Sequence, residues 1–330
     1  MIGTVAIIAM VNMILAVLLF PNFRSVKTTG KYAFASRTIE LEDVSRLEGF
    51  KNDGSFRKLA VLVYYPDSND IEKGGCPLII FSHGGISLGT SNESLYKELA
   101  SHGYIVAGIS HTYHAISTKI EGKRILINSG YMKELSAENS NKDIENSFAC
   151  YQKWMALRTG DINFVIDTLV KRAAGEDASF YPLINAKRIG LSGHSLGGAA
   201  VLGAARQRND IKAVIVLESP YMCDITGVDG DAFVWNTEPY SCALMNIYSD
   251  SGYPLVGSDN KYVQNKNYLY NGENTEYYYI KGSNHFSLTD LVRKSPALCV
   301  ILGGWHRMSG CETLRFINEK SIAFFDKYLK

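Results

Sequence analysis

KRIGLSGHSLGGAAVLGAARQR, residues 187–208, decides the fold. KRIGLSG (187–193) reads as a strand, and LGGAAVLGAARQR (196–208) as a helix that opens on small residues. Only His194 and Ser195 separate them, so the chain must turn sharply about a serine. Gly193 and Gly197 leave room for neighbouring backbone in that turn. The helix amino end then points at Ser195, where unpaired N–H groups favour negative charge.

Outward from this turn, strands and helices alternate. RKLAVLVYYP (57–66), CPLIIFSHGG (76–85), YIVAGISH (104–111), KAVIVLES (212–219), ALMNIYSD (243–250) and TEYYYIKG (275–282) read as strands or strand ends. SNESLYKELASHG (91–103) reads as a helix capped by Ser91 or Asn92 and closed by Gly103. A second helix spans about 143–172, with Leu157, Ile162, Val165, Ile166 and Leu169 at helical spacing. LRFINEKSIAFFDKYL (314–329) closes the chain as an amphipathic helix. This order predicts an α/β domain over 57–330, with a mostly parallel sheet and helices on both faces. An N-terminal extension over 21–56 is expected to pack on it, and insertions at about 112–145 and 221–242 to cover its cleft. Ligands in such sheets bind at the carboxyl ends of the strands.

Apolar residues make up 46% and charged residues 20% of the 330, enough for a sizeable core. The net charge is +1 with no basic stripe, which argues against a nucleic-acid partner. No C-x-x-C pair occurs among Cys76, Cys150, Cys223, Cys242, Cys299 and Cys311. Cys223–Cys242 and Cys299–Cys311 are candidate disulfides, and six buried thiols are the alternative. MIGTVAIIAMVNMILAVLLF (1–20) carries no charge and is long enough to cross a bilayer. No Lys or Arg precedes it, so a membrane anchor is expected rather than a cleavable signal peptide or a core helix. Arg24, Lys27 and Lys31 after it would place the body in the cytoplasm, unless further chain lies upstream. The side of the membrane therefore stays open, as does the oligomeric state.

GISLG (85–89) repeats the Gly-x-Ser-x-Gly pattern of GHSLG (193–197). The helix after Ser87 starts only at Ser91 or Asn92, so no sharp strand–serine–helix turn forms there. Ser195 is the expected nucleophile, and His83-Gly84-Gly85 suits a loop that lends a backbone N–H to an oxyanion. A serine hydroxyl needs a base, and the base an orienting carboxylate. After an elbow of this kind the chain order is nucleophile, acid, histidine. His285, just past the strand in YYYIKGSNHF (277–286), is the expected base. His83, His111 and His114 also end strands and are expected to face the cleft, but they precede Ser195, so a role as satisfied polar or substrate-contacting side chains is expected for them. His102 and His306 have no such placing. The acid is Glu218 or Asp250, each at a strand end. Tyr221, Met222, Phe233 and Trp235 either line an acyl pocket or pack a lid.

FSHGG (81–85), GHSLGGAA (193–200), VLESPYM (216–222) and IKGSNHFSLTD (280–290), with the strand to His111, resemble the platelet-activating-factor acetylhydrolase family. The likeness is to the plasma and intracellular type II form and its bacterial relatives. RKLAVLVYYP and the preceding TGKYAFASRTIELEDVSR (29–46) resemble the same family. The resemblance implies an α/β-hydrolase fold, no metal or cofactor, and hydrolysis of esters, often short or oxidised acyl chains on phospholipids. It carries the nucleophile to Ser195, the base to His285, the oxyanion N–H groups to Gly85 and Leu196, and the acid to Glu218. The family usually has Asp where Glu218 stands, which keeps Asp250 open. The expected function is a membrane-anchored serine esterase of lipid or short-acyl esters. An acyltransferase or amidase with the same triad, and a catalytically silent binding domain, are the rivals.

Overall fold

A computed structural model of the protein describes residues 19–21, 26–67, 71–175, 179–270 and 274–330. The expected anchor over 1–20 lies almost wholly outside them. Among the described residues no helix is long and apolar enough to cross a membrane.

In chain order the elements are β1 (Phe34–Leu47), β2 (Phe56–Pro66), β3 (Cys76–Ser82), α1 (Glu93–Ser101), β4 (Ile105–Ser110), β5 (Ser117–Ile120) and β6 (Lys123–Leu126). Then follow α2 (Ser129–Ala137), α3 (Ile144–Ala173), β7 (Ile184–His194), α4 (Leu196–Gln207), β8 (Ile211–Leu217), β9 (Ile225–Asp229), β10 (Ala232–Trp235) and β11 (Ala243–Ser249). The chain ends with α5 (Asn267–Tyr270), β12 (Thr275–Ile280), α6 (Leu291–Lys294), α7 (Pro296–Gly303) and α8 (Gly310–Leu329).

Eight strands form one sheet in the order β1-β2-β4-β3-β7-β8-β11-β12. From β4 to β12 every pairing is parallel, while β1 and β2 are antiparallel additions at one edge. Part of the expected extension over 21–56 is therefore sheet. Ile39, Leu41 and Asp43 of β1 alternate inward, as a half-buried edge strand requires. The insertion at 112–145 holds the β5–β6 hairpin and α2, and that at 221–242 holds the β9–β10 hairpin.

Every residue of β3 is buried because both faces of the sheet are covered. Leu78 and Ile80 join the apolar cluster of α3 and α4, and Ile79 and Phe81 join that of α1 and α8. All six cysteines are free thiols, so neither candidate disulfide forms.

The register aligns the carboxyl ends of the strands. Ser82 of β3 pairs with Gly193, His194 with Leu217 of β8, and Ser249 of β11 with Ile280 of β12. The 83–85 loop thus emerges on one side of the Ser195 turn and Glu218 on the other. Asp250 leaves one strand further out, and His285 follows the outermost strand.

Candidate active site

Ser195 sits between β7 and α4 with φ 53° and ψ −128°, a conformation unfavourable for any residue with a Cβ. The sheet and helix hold it there: its N–H donates to Leu217 O at 2.9 Å, and its carbonyl accepts from Gly198 N at 2.8 Å. Close packing forces the flanking glycine, since a Cβ on Gly197 would stand 2.1 Å from Ser82 O. Leu196 follows as the first residue of α4, so its N–H belongs to the helix end.

His285 opens a short helical turn capped by Asn284, whose Oδ1 accepts from Ser287 N at 2.8 Å. Its own N–H donates to Ser251 Oγ at 3.2 Å. His194 lies tilted against it with ring centroids 4.5 Å apart, and His194 Nε2 donates to His285 O at 3.1 Å. The loop beyond is tied back to α1. Asp290 Oδ2 accepts from Ser94 N at 2.9 Å, supplying the cap that Asn92 does not, while Asn92 Nδ2 donates to Leu288 O at 2.8 Å.

His285 Nδ1 donates to Glu218 Oε1 at 2.7 Å, and Glu218 Oε2 accepts from Ser249 N at 2.5 Å. Glu218 also takes a positive φ, 50°, and a Cβ on Gly252 would stand 2.4 Å from its Cγ. Burial pushes the Glu218 carboxyl up, but the His285 bond and charge and the Ser249 bonds outweigh it and hold it below the usual carboxylate range. Asp250 is engaged elsewhere: it accepts from Tyr279 OH at 2.5 Å and from Gly282 N at 3.0 Å. The structure therefore brings Glu218, not Asp250, to His285.

A cavity of about 360 Å³ opens over these strand ends. Gly84, Gly85, His194, Ser195 and His285 line it, with Ile86, Leu88, Ile116, Phe286, Leu298 and Leu302 among its walls. A larger open hollow of about 500 Å³ at residues 205–210 and 239–241 lies at the far end of α4. A twelve-residue helix puts it ~18 Å from Ser195. Ser87 lines the first cavity too, but its hydroxyl is bound to that of Ser91.

One open alternative is decided for packing, and one expectation needs correction. Tyr221, Met222 and Phe233 are buried in the core cluster of α3, with Trp235 packed against it, and none of the four lines the cavity. His83, His111 and His114 do not face the cleft; all three are buried and none lines the cavity. Charged groups of α3 draw them down. His111 bonds Asp161 Oδ2 through Nδ1 at 2.9 Å and Ser82 Oγ through Nε2 at 2.8 Å. That hydroxyl–imidazole–carboxylate chain copies a triad but has no solvent access, with all three residues 0% exposed.

Asp161 also binds Arg57 through two bonds of 2.7 Å and Arg46 through one of 3.0 Å, and Arg57 pairs with Glu48 at 3.0 Å. Burial raises the Asp161 pKa, but Arg57 and His111 more than offset it and hold the carboxyl far below its usual range. Its stabilising contribution is therefore full above the unfolded pKa of about 4 and is lost as pH falls further. Asp161→Asn is expected to cost about 3–5 kcal/mol of unfolding free energy at neutral pH, since it leaves a buried guanidinium short of its partner. A lowered urea midpoint checks this. Sequence reading missed Asp161 and Arg158, although both share the helix face of Ile162, Val165, Ile166 and Leu169, where charge is out of place.

The family model for platelet-activating factor acetylhydrolase, isoform II, matches residues 67–330. The chain is 23% identical over 281 residues to the platelet-activating factor acetylhydrolase of Gallus gallus, covering 77% of this chain and 62% of that protein. It is 26% identical over 289 residues to that of Cavia porcellus, covering 77% and 57%. The chain thus spans about three-fifths of the length of these curated relatives. The solved ferulic acid esterase from Streptomyces cinnamoneus shares the fold, with a TM-score of 0.65, 20% identity and 92% of each chain covered. Matched from residue 67 to residue 330, the chain belongs to the family of platelet-activating factor acetylhydrolase, isoform II.

Proposed function

We propose that the protein is a carboxylic ester hydrolase that works through an acyl-enzyme on Ser195. The observation that carries this reading is the His285 imidazole, bound to Glu218 at 2.7 Å on the wall of the cavity that Ser195 also lines. With Nδ1–H committed to Glu218, Nε2 keeps the free lone pair that a base needs. His285 takes the Ser195 proton as the hydroxyl oxygen attacks the ester carbonyl. The tetrahedral oxyanion sits between the N–H groups of Gly85 and Leu196. His285 then protonates the leaving alcohol as the C–O bond breaks. Water, deprotonated by His285, attacks the acyl carbon, the bond to Ser195 Oγ breaks, and His285 returns the proton to that oxygen.

The apolar walls favour a lipid or otherwise lipophilic ester. Ile301, Leu302 and Trp305, on and just after α7, are 70%, 57% and 79% exposed, and Leu302 reaches the cavity. An exposed apolar patch beside a site suits an interface with lipid. The uncharged segment 1–20 would hold the domain at a membrane in keeping with this.

The test is turnover of p-nitrophenyl esters of graded acyl length and of phospholipids with a short second acyl chain, with and without added alcohols. Hydrolysis is expected, rising with acyl length until the cavity is filled and then falling, with water the preferred acceptor. Absence of turnover on every ester contradicts the reading, and preferred transfer to the added alcohol makes the protein an acyltransferase.

A further inference from the structure

The carbonyls of the 83–85 loop are held by a buried cation. Arg158 of α3 is 0% exposed. Its Nη1 donates to His83 O, and its Nη2 to Gly84 O at 3.1 Å. The next carbonyl, Gly85 O, accepts from the Tyr131 hydroxyl of α2 at 3.3 Å, and Arg158 Nη2 reaches that hydroxyl at 3.4 Å. Arg158 Nε donates to His114 Nδ1 at 3.3 Å, and His114 stacks on Tyr131 with centroids 3.6 Å apart. Among the described residues no carboxylate stands within 4.0 Å of Arg158. Asp161, one helical turn away, is already saturated by Arg57, Arg46 and His111. A buried guanidinium without a facing anion costs several kcal/mol, so a structural role alone accounts poorly for it.

In a trans peptide the C=O and N–H of one unit point in opposite directions. Carbonyls 83 and 84 point at Arg158, so the N–H groups of Gly84 and Gly85 point away from it. Both glycines line the cavity, and a Cβ on Gly84 would stand 3.5 Å from Ser195 Cβ.

We propose that Arg158 is the positioning residue of the oxyanion donor: it locks the 83–85 loop so that Gly85 N–H aims at the oxygen that gains charge when Ser195 attacks. Its buried positive charge, behind the backbone of the loop, adds to the field at that oxygen. His83 and His114 bring no second cation, because burial and then the Arg158 charge push both imidazoles well below their usual range. This inference rests on the ester hydrolase reading.

The experiment uses the full chain and its variants Arg158→Met and Arg158→Lys. Active sites are counted with a fluorophosphonate, so that misfolded molecules drop out. Ester kcat and KM are then compared with the Ki of a trifluoromethyl ketone of the same acyl chain, whose serine adduct carries an oxyanion. Per counted site, Arg158→Met is expected to lower kcat and weaken the ketone by the same factor, about 100-fold, while KM moves by less than about threefold. Arg158→Lys, which keeps a cation and a donor, recovers part of both and serves alone if the methionine variant does not fold. An unchanged kcat and Ki per counted site in the folded variants overturns the inference and leaves the hydrolase reading standing. Wild-type protein that neither labels nor hydrolyses any ester overturns both.

Discussion

Ser195→Ala is expected to lower kcat on the order of a millionfold, close to the loss seen when a triad nucleophile is removed elsewhere. The size follows from the lack of a substitute. Ser87 shares the cavity, but its hydroxyl is bound to Ser91, and it lies in a loop rather than at a strand–helix turn. Ser82 has a histidine and an aspartate behind it, but no path to substrate. The residual rate reflects only binding and the oxyanion donors. Ser87→Ala, by contrast, keeps the rate within about an order of magnitude, as a change outside the chemistry does. Steady-state kinetics on the ester that wild type turns over best makes the comparison.

Glu218→Gln should cost about ten-thousandfold in kcat while leaving the fold intact. Glu218 accepts twice, from His285 Nδ1–H and from Ser249 N–H. A glutamine has one oxygen for these two donors. If the oxygen stays on the fixed Ser249 N–H, the amide NH2 faces His285 Nδ1. The imidazole must then carry its proton on Nε2, where it cannot accept one from Ser195. Asp250→Asn is expected to stay within about tenfold of wild type, because Asp250 holds Tyr279 and the Gly282 turn rather than the base. A crippled Asp250→Asn beside an active Glu218→Gln contradicts the assignment of the acid.

The strand–serine–helix turn was legible in the sequence because its cause is local: glycines at 193 and 197 admit backbone that no Cβ would clear. His285 was legible from chain order. Choosing between Glu218 and Asp250 was not, because the decisive fact is strand order: β8 lies beside β7, and β11 is one strand further out. The aromatic residues after β8 stayed open between pocket and packing for a similar reason. Tyr221 and Phe233 have the same composition whether they face a cleft or the core, and the α3 surface takes them inward. For His83, His111 and His114 the deciding partners, Arg158 and Asp161, lie on a helix distant in sequence, in phase with its buried apolar face. Leu157 shows the same shift in phase: it is only half-buried, while Arg158 beside it is fully enclosed. Part of β1 could have been read from IELED at 39–43, whose alternate residues turn inward.

Labelling the full chain with a fluorophosphonate and mapping the adduct by mass spectrometry tests the central claim most directly. A single adduct on Ser195, lost in His285→Ala and formed far more slowly in Glu218→Gln, is the expected result. An adduct on Ser87, or none on folded protein, contradicts it.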